Sequence, residues 1–346
     1  MTTPLLDTPP MTLSPLELIP RIEFGAAVES GFNWLKTNFE WFFDGLGTVI
    51  GVPTDGLIEL LQAPPPVAMV LIFALIGLLL RGWKFALGAL FGLLLIVSMD
   101  QWEAAMETLA LVVVASVIAI VIGIPVGIWA ARMRAASTAI RPVMDLMQTM
   151  PALVWLVPVV TLFSIGVVSG VIATIIFALP PGVRLTELGI RNVDPEIVEA
   201  ANAFGAKPRQ TLFGVQLPLA LPTIMAGINQ VIMLALSMAV IAGLVGAAGL
   251  GGQVTAALAT LNLGLGFEAG ISVVILAIFL DRLTMAIGQG RANPGLLSLV
   301  FRRRTDPSKP LVTAGAEEPA ADTERAHDMN HPEPTQISTS TMERTS

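Results

Sequence analysis

Apolar runs long enough to cross a bilayer recur between residues 65 and 289, and Lys and Arg gather in every second gap between them. A span needs about 20 mostly apolar residues. The chain is therefore read as an all-α integral membrane protein with about seven transmembrane helices, at 65–80, 84–99, 107–131, 151–166, 169–186, 221–246 and 270–289. The first two are short and need tilt or local thinning. Only Gly166 to Gly170 separates the fourth from the fifth. Charged residues make up 13% of the chain, about half the share found in soluble domains.

Basic residues in short loops favour the cytoplasm. Arg81 and Lys84 lie between the first two spans. Arg132, Arg134 and Arg141 follow the third, and Arg184, Arg191, Lys207 and Arg209 follow the fifth. Arg291 and Arg302 to Arg304 follow the seventh. The alternate connections, Asp100 to Glu103, Gly166 to Gly170 and Gly249 to Glu268, contain no Lys or Arg. This pattern predicts an external N-terminus and a cytoplasmic C-terminus in a plasma or inner membrane.

Three regions follow. Residues 1–66 form an external segment, 67–290 the membrane domain, and 291–346 a cytoplasmic basic stretch with a disordered acidic tail. The net charge of −7 comes from the two ends, so it says nothing about nucleic acid, and no nucleic-acid partner is expected. Residues 1–20 are proline-rich. Over 21–50, Ile22, Phe24, Val28, Phe32, Leu35, Phe39, Phe42, Phe43 and Leu46 recur at helical spacing, with Trp34 and Trp41 among them. An amphipathic helix is expected there, with a break near Gly31. It lies on the outer leaflet or packs on the outer ends of the spans. His327 and His331 lie four apart in the tail and are read as incidental. No metal site is expected, and the lack of cysteine removes thiolate ligands and disulfides.

A charged, helix-forming island interrupts the apolar pattern at 194–217. Asp194 suits an N-cap, Pro195 the first helical position, and Glu196 the first turn. Gly205 sits where a left-handed C-cap belongs. Between them Ile197, Ala200, Ala201 and Phe204 share a face. A second short helical element is expected from Lys207-Pro208-Arg209 to a point before Pro218. One reading is a re-entrant hairpin with Glu199 neutralised by Arg209 or Lys207. The other is a helix docked into a groove of a separate protein, with Phe204 as an aromatic anchor. No Gly-x-x-x-x-Gly-Lys-Ser/Thr loop occurs, so nucleotide would have to be hydrolysed elsewhere. The Gly-rich stretch Gly246 to Gly252 is either a flexible turn or part of an outer gate.

The order Glu199-Ala200-Ala201, Gly205, Val215-Gln216-Leu217-Pro218 resembles the EAA loop of ABC-importer permeases, with Val215 in the usual Ile position. Met144 to Pro151, Leu179 to Thr186, Val215 to Ser237 and Leu276 to Thr284 resemble permeases of glycine betaine/L-proline importers. The resemblance covers roughly residues 100–290. It implies a type I ABC-importer permease fold with a coupling loop at 190–218, in which Glu199, Ala200, Ala201, Phe204, Gly205, Arg209 and Pro218 meet the ATPase. It also implies a homodimer, two cytoplasmic ATPase subunits that bind ATP and Mg, and an external substrate-binding protein delivering a quaternary ammonium solute. No catalytic residue and no cofactor is expected in this chain. Choline and carnitine importers share much of the pattern.

Polar groups at membrane depth face a bundle interior or a water path. Thr149, Met150, Trp155, Asn229, Gln230, Met233 and Ser237 are candidates for a translocation path. For Asn229 and Gln230 an interhelical hydrogen bond is the other reading. Asp281 and Arg282 are expected near the inner interface, pairing across helices or snorkelling. A secondary transporter acting alone would need acid-base groups along the path, and the spans offer few beyond Glu187 and Asp281. A membrane enzyme would need a nucleophile, metal set or acid-base pair clustered at depth, and the pattern offers none.

Overall fold

The computed structural model describes residues 23–288. The proline-rich start, Arg291, Arg302 to Arg304, and the acidic tail with His327 and His331 lie outside the described residues. Among the described residues there are thirteen α-helices. They are α1 (Phe24–Asn38), α2 (Glu40–Gln62), α3 (Pro66–Arg81), α4 (Trp83–Ser98), α5 (Trp102–Arg132), α6 (Arg134–Thr149), α7 (Ala152–Phe163), α8 (Val167–Arg191), α9 (Pro195–Ala203), α10 (Pro208–Thr211), α11 (Leu217–Ala242), α12 (Leu250–Thr260) and α13 (Leu263–Gly288).

The centre is α5, α8 and α11, with the broadest interface between α8 and α11. Lipid tails are as apolar as leucine, so such helices associate through close packing rather than through the hydrophobic effect. Glycines make that packing possible here. A Cβ on Gly127 of α5 would lie 2.6 Å from Val183 O and Thr186 Cβ of α8. One on Gly227 of α11 would meet Leu185 Cβ at 2.9 Å, and one on Gly189 would meet Thr223 Cβ at 3.0 Å. Two buried hydroxyls return to their own helix: Thr108 donates to Ala104 O (2.9 Å) and Thr174 to Gly170 O (2.7 Å).

Four helices are individually long and apolar enough to cross a membrane: α5, α8, the run Pro208–Val245, and α13. Seven separate spans were expected, and the other three differ. The pair α2–α3 passes the same test only as a unit bent by 102°, and α6–α7 only as one bent by 101°. Helix α4 is apolar but has 16 residues, about 24 Å of rise. Helix α7 has 12, contains Pro158, and ends at Ser164 with φ +66° before Gly166 with φ +145°. Two positive-φ residues separated by Ile165 end the helix two residues before the apolar letters run out.

The N-terminal break falls at Phe39 (φ −122°, ψ 28°), not at Gly31, which lies inside α1. With four helical neighbours on each side Gly31 costs only about 1 kcal/mol relative to alanine, too little to break the helix. No residue of α1 is buried. Helix α2 buries Ile50, Thr54 and Leu61 and packs on α5, α7 and α8, where Phe43 meets Phe163 edge to face at 5.4 Å.

The connection expected as a loop from Gly249 to Glu268 contains α12 and the start of α13. Its Gly-rich turn is packed tightly. Leu250 N donates to Thr108 Oγ1 at 2.8 Å, and a Cβ on Gly243 would fall 2.1 Å from Gly251 C. Only two bare backbones can approach so closely.

Candidate functional site

The island at 194–217 folds locally as its letters require. Asp194 caps α9 by accepting from Glu196 N at 2.9 Å. Gly205 ends it at φ +80°, with its N–H donating to Asn202 O (2.9 Å) and Ala206 N to Ala201 O (3.1 Å). A side chain at that φ would be strained, which is why glycine belongs there.

Helix α9 is seated on one side and bare on the other. Below it, Ile190, Val193, Leu212, Ala220 and Ile224 form a small core against which Val198 packs. Thr211 Oγ1 donates to Asn202 Oδ1 at 3.1 Å, and Lys207 N to Gln210 Oε1 at 2.8 Å. Arg132 at the end of α5 donates to Pro208 O at 3.1 Å. The opposite face carries Ile197 (45% exposed) and Phe204 (93% exposed), with Ala200 exposed and Ala201 half-buried. A bare phenylalanine flanked by small residues is an unsatisfied surface, because its ring gains only by entering a pocket. Among the described residues Glu199 forms no ion pair, so the hairpin reading that required Arg209 or Lys207 beside it lacks that contact. Arg209 instead lies over the Phe213 ring, its Cζ 5.8 Å from the centroid.

The second element does not stop before Pro218. Helix α10 passes through a π-helical turn, Leu212–Gln216, directly into α11, forming one run of 38 residues from Pro208 to Val245. Leu217 N bonds Leu212 O, five residues back. The wider turn takes up the extra residue and the ring of exposed Pro218, which cannot donate. The run rises about 57 Å, against a hydrocarbon core of about 30 Å. It is a single rod from the bare helix into the bundle.

The path candidates separate into groups. Gln230, Met233 and Ser237 share an exposed stripe of α11 with Pro222 and Ala226. Asn229 points elsewhere: its Nδ2 donates to Asp281 Oδ1 of α13 at 3.0 Å, and Asp281 also sits 3.7 Å from Arg282 Nε. Thr149 and Met150 stand at the bend between α6 and α7. Trp155 packs on the Met144, Met147 and Val183 cluster, with its Nε1 buried and unpartnered among the described residues.

Glu187, one of the few acids inside a span, is held by three groups. Ser137 Oγ donates to it at 2.7 Å, and Arg191 and Arg141 lie at 3.1 and 3.6 Å. Together with the Arg184–Asp145 pair it ties α6 to α8. A carboxylate held by partners on both helices anchors them to each other. Sequence reasoning missed Asn202, Thr211 and the Arg132 contact, because the letters give no sign of pairing across nine or 76 residues.

The family described as "Binding-protein-dependent transport system inner membrane component" matches residues 123–292. The chain is 46% identical over 291 residues to the glycine betaine/proline betaine transport system permease protein ProW of Escherichia coli strain K12, covering 84% of this chain and 80% of the relative. It is 45% identical over 280 residues to the glycine betaine transport system permease protein OpuAB of Bacillus subtilis strain 168, covering 81% and 99%. The structure resembles an inward-facing conformation of the MetNI methionine ABC transporter, with TM-score 0.50 and 24% identity over 55% of this chain and 94% of that one. That likeness concerns the fold.

Proposed function

The chain belongs to the family of binding-protein-dependent transport system inner membrane components, and from that premise we propose that it carries a betaine-type compatible solute inward, driven by a separate ATPase. It is a multi-pass permease subunit with a type I ABC-importer fold. The observation that carries the substrate class is the 45–46% identity, spread over four-fifths of this chain, to permeases whose names specify glycine betaine.

The geometry supports a mechanical role for α9. An ATPase groove that grips Phe204 and the small residues Ala200 and Ala201 holds a helix stitched to α10 through Thr211 and Asn202. Displacement of α9 then passes along the rod into α11, whose exposed stripe carries Gln230 and Ser237. An amide facing lipid is costly, so this stripe faces a water path or a second copy of the chain. A homodimer with the path along α11 accounts for both. Nucleotide and Mg stay in the ATPase. An external binding protein selects the solute, and the path, lined by neutral groups, holds it weakly. The Lys and Arg in the loops on either side of α9 support a cytoplasmic position for it, and with it a cytoplasmic C-terminus.

Proteoliposomes containing the permease, its ATPase and its binding protein test this reading. Labelled glycine betaine uptake is expected to require ATP and Mg, and to exceed uptake of choline and carnitine. Preference for choline or carnitine would reassign the substrate. Uptake by the permease alone, driven by an ion gradient, would refute the ATPase-coupled account.

A further inference from the structure

A cavity of about 380 Å³ lies between the α3–α4 pair and α13. Its two ends differ in chemistry. At one end stand three cations, Arg81, Lys84 and Arg282. Arg81 donates to Arg282 O at 3.0 Å, which fixes the ends of α3 and α13 side by side. Lys84 is exposed and among the described residues has no carboxylate partner. Arg282 shares Asp281 only at 3.7 Å, and that carboxylate is also engaged by Asn229. The cluster therefore keeps a positive excess.

The rest of the cavity is an apolar trough. Its floor is the small-residue edge of α4, where Gly88 and Gly92 lie one turn apart, and its far wall is Ile275, Ile278 and Phe279 of α13. The trough narrows at Gly92, where a Cβ would touch Ile275 at 2.9 Å, and stays open at Gly88, where a Cβ would meet nothing within 4 Å. Phe85 stacked on Phe279 (6.0 Å between centroids) stiffens the wall. From Lys84 to Gly92 the trough runs about 12 Å along α4, in a segment apolar enough to sit in hydrocarbon.

We propose that this groove is a binding site for one anionic phospholipid, whose phosphate lies among Arg81, Lys84 and Arg282 while an acyl chain fills the trough over Gly88. The juxtaposition selects the occupant. A soluble anion would leave the apolar trough empty, and a neutral lipid would leave the cations unanswered. Basic pockets between membrane helices bind anionic headgroups in this way, each Lys or Arg near the surface contributing about 1 kcal/mol. The site holds whether or not the transported solute is a betaine.

The test uses the full-length chain, purified and delipidated in detergent, with retained lipid counted by native mass spectrometry. Phosphatidylglycerol is expected to bind at least about fivefold more tightly than phosphatidylcholine, and Lys84→Gln or Arg282→Gln to weaken it by about fivefold each. Gly88→Leu is expected to abolish the bound lipid by filling the trough without altering charge, and excess inorganic phosphate is expected not to displace it. Equal binding of the two lipids, or no effect of Lys84→Gln, an exposed position that leaves packing intact, would overturn the proposal. Displacement by phosphate would mean a plain anion site, and normal binding by Gly88→Leu would remove the acyl chain from the groove. Either result also overturns it.

Discussion

Replacing Phe204 with alanine is expected to lower ATP-driven uptake by at least about thirtyfold while leaving the amount of chain in the membrane unchanged. The two halves of that expectation have separate causes. With 93% of its surface exposed, the ring contributes almost nothing to the fold, so its removal takes no packing from the bundle. An aromatic anchor buried at an interface contributes about 2 kcal/mol or more, and about 2.7 kcal/mol corresponds to a hundredfold. Uptake in membrane vesicles, normalised to immunoblotted permease, measures both halves. Uptake at the wild-type level would show that no partner grips this ring. Gly205→Pro attacks the same element differently: it removes the N–H that bonds Asn202 O and forbids the φ of +80°. It should uncouple uptake as well, with some loss of local order.

Gly127→Leu is expected to have the opposite profile, with the chain itself lost from the membrane by about tenfold or more. Gly127 is buried where α5 crosses α8, and even a methyl group there would stand 2.6 Å from Val183 O and Thr186 Cβ. Overpacking by single methylenes costs about 1–3 kcal/mol. A leucine adds four carbons where none fits, and separating the helices would also forfeit the close packing that holds them in lipid. Gly88→Leu is the control: it makes the same change where nothing lies within 4 Å, so its membrane level should remain normal. Equal levels for both variants would contradict the packing described for α5 and α8.

What the sequence made legible was local. Asp194, Pro195 and Gly205 announce both ends of α9 because caps depend on neighbours a few residues away. The cores of α5, α8, α11 and α13 follow from apolar length alone. What stayed hidden depends on partners far along the chain. Glu187 reads only as one of few acids at membrane depth, and its ties to Ser137 and Arg141 appear once α6 folds against α8. Asn229 reads equally as a path residue or a helix tie, and only the approach of Asp281 from α13 separates the two. Pro218 suggests a helix boundary, whereas the π turn before it carries the backbone through. Helix α7 looks like a full span because apolar letters continue through Ile165, but the helix ends at Phe163 and Ser164 adopts φ +66°. The face of α9 was the reverse case: Ile197, Ala200 and Phe204 were predictable as one face, and the fold left that face bare.

The central claim is that the bare face of α9 is gripped by a separate nucleotide-hydrolysing subunit. The chain contains no cysteine, so Ala201→Cys gives a single thiol on a small-for-small exchange that leaves Phe204 in place. A short thiol-to-amine crosslinker in membranes that are actively taking up solute is expected to join this thiol to the ATPase subunit. The same reagent should leave Leu261→Cys, beyond the far end of α11, unattached to it. A crosslinked product at both positions, or at neither while uptake continues, would contradict the account.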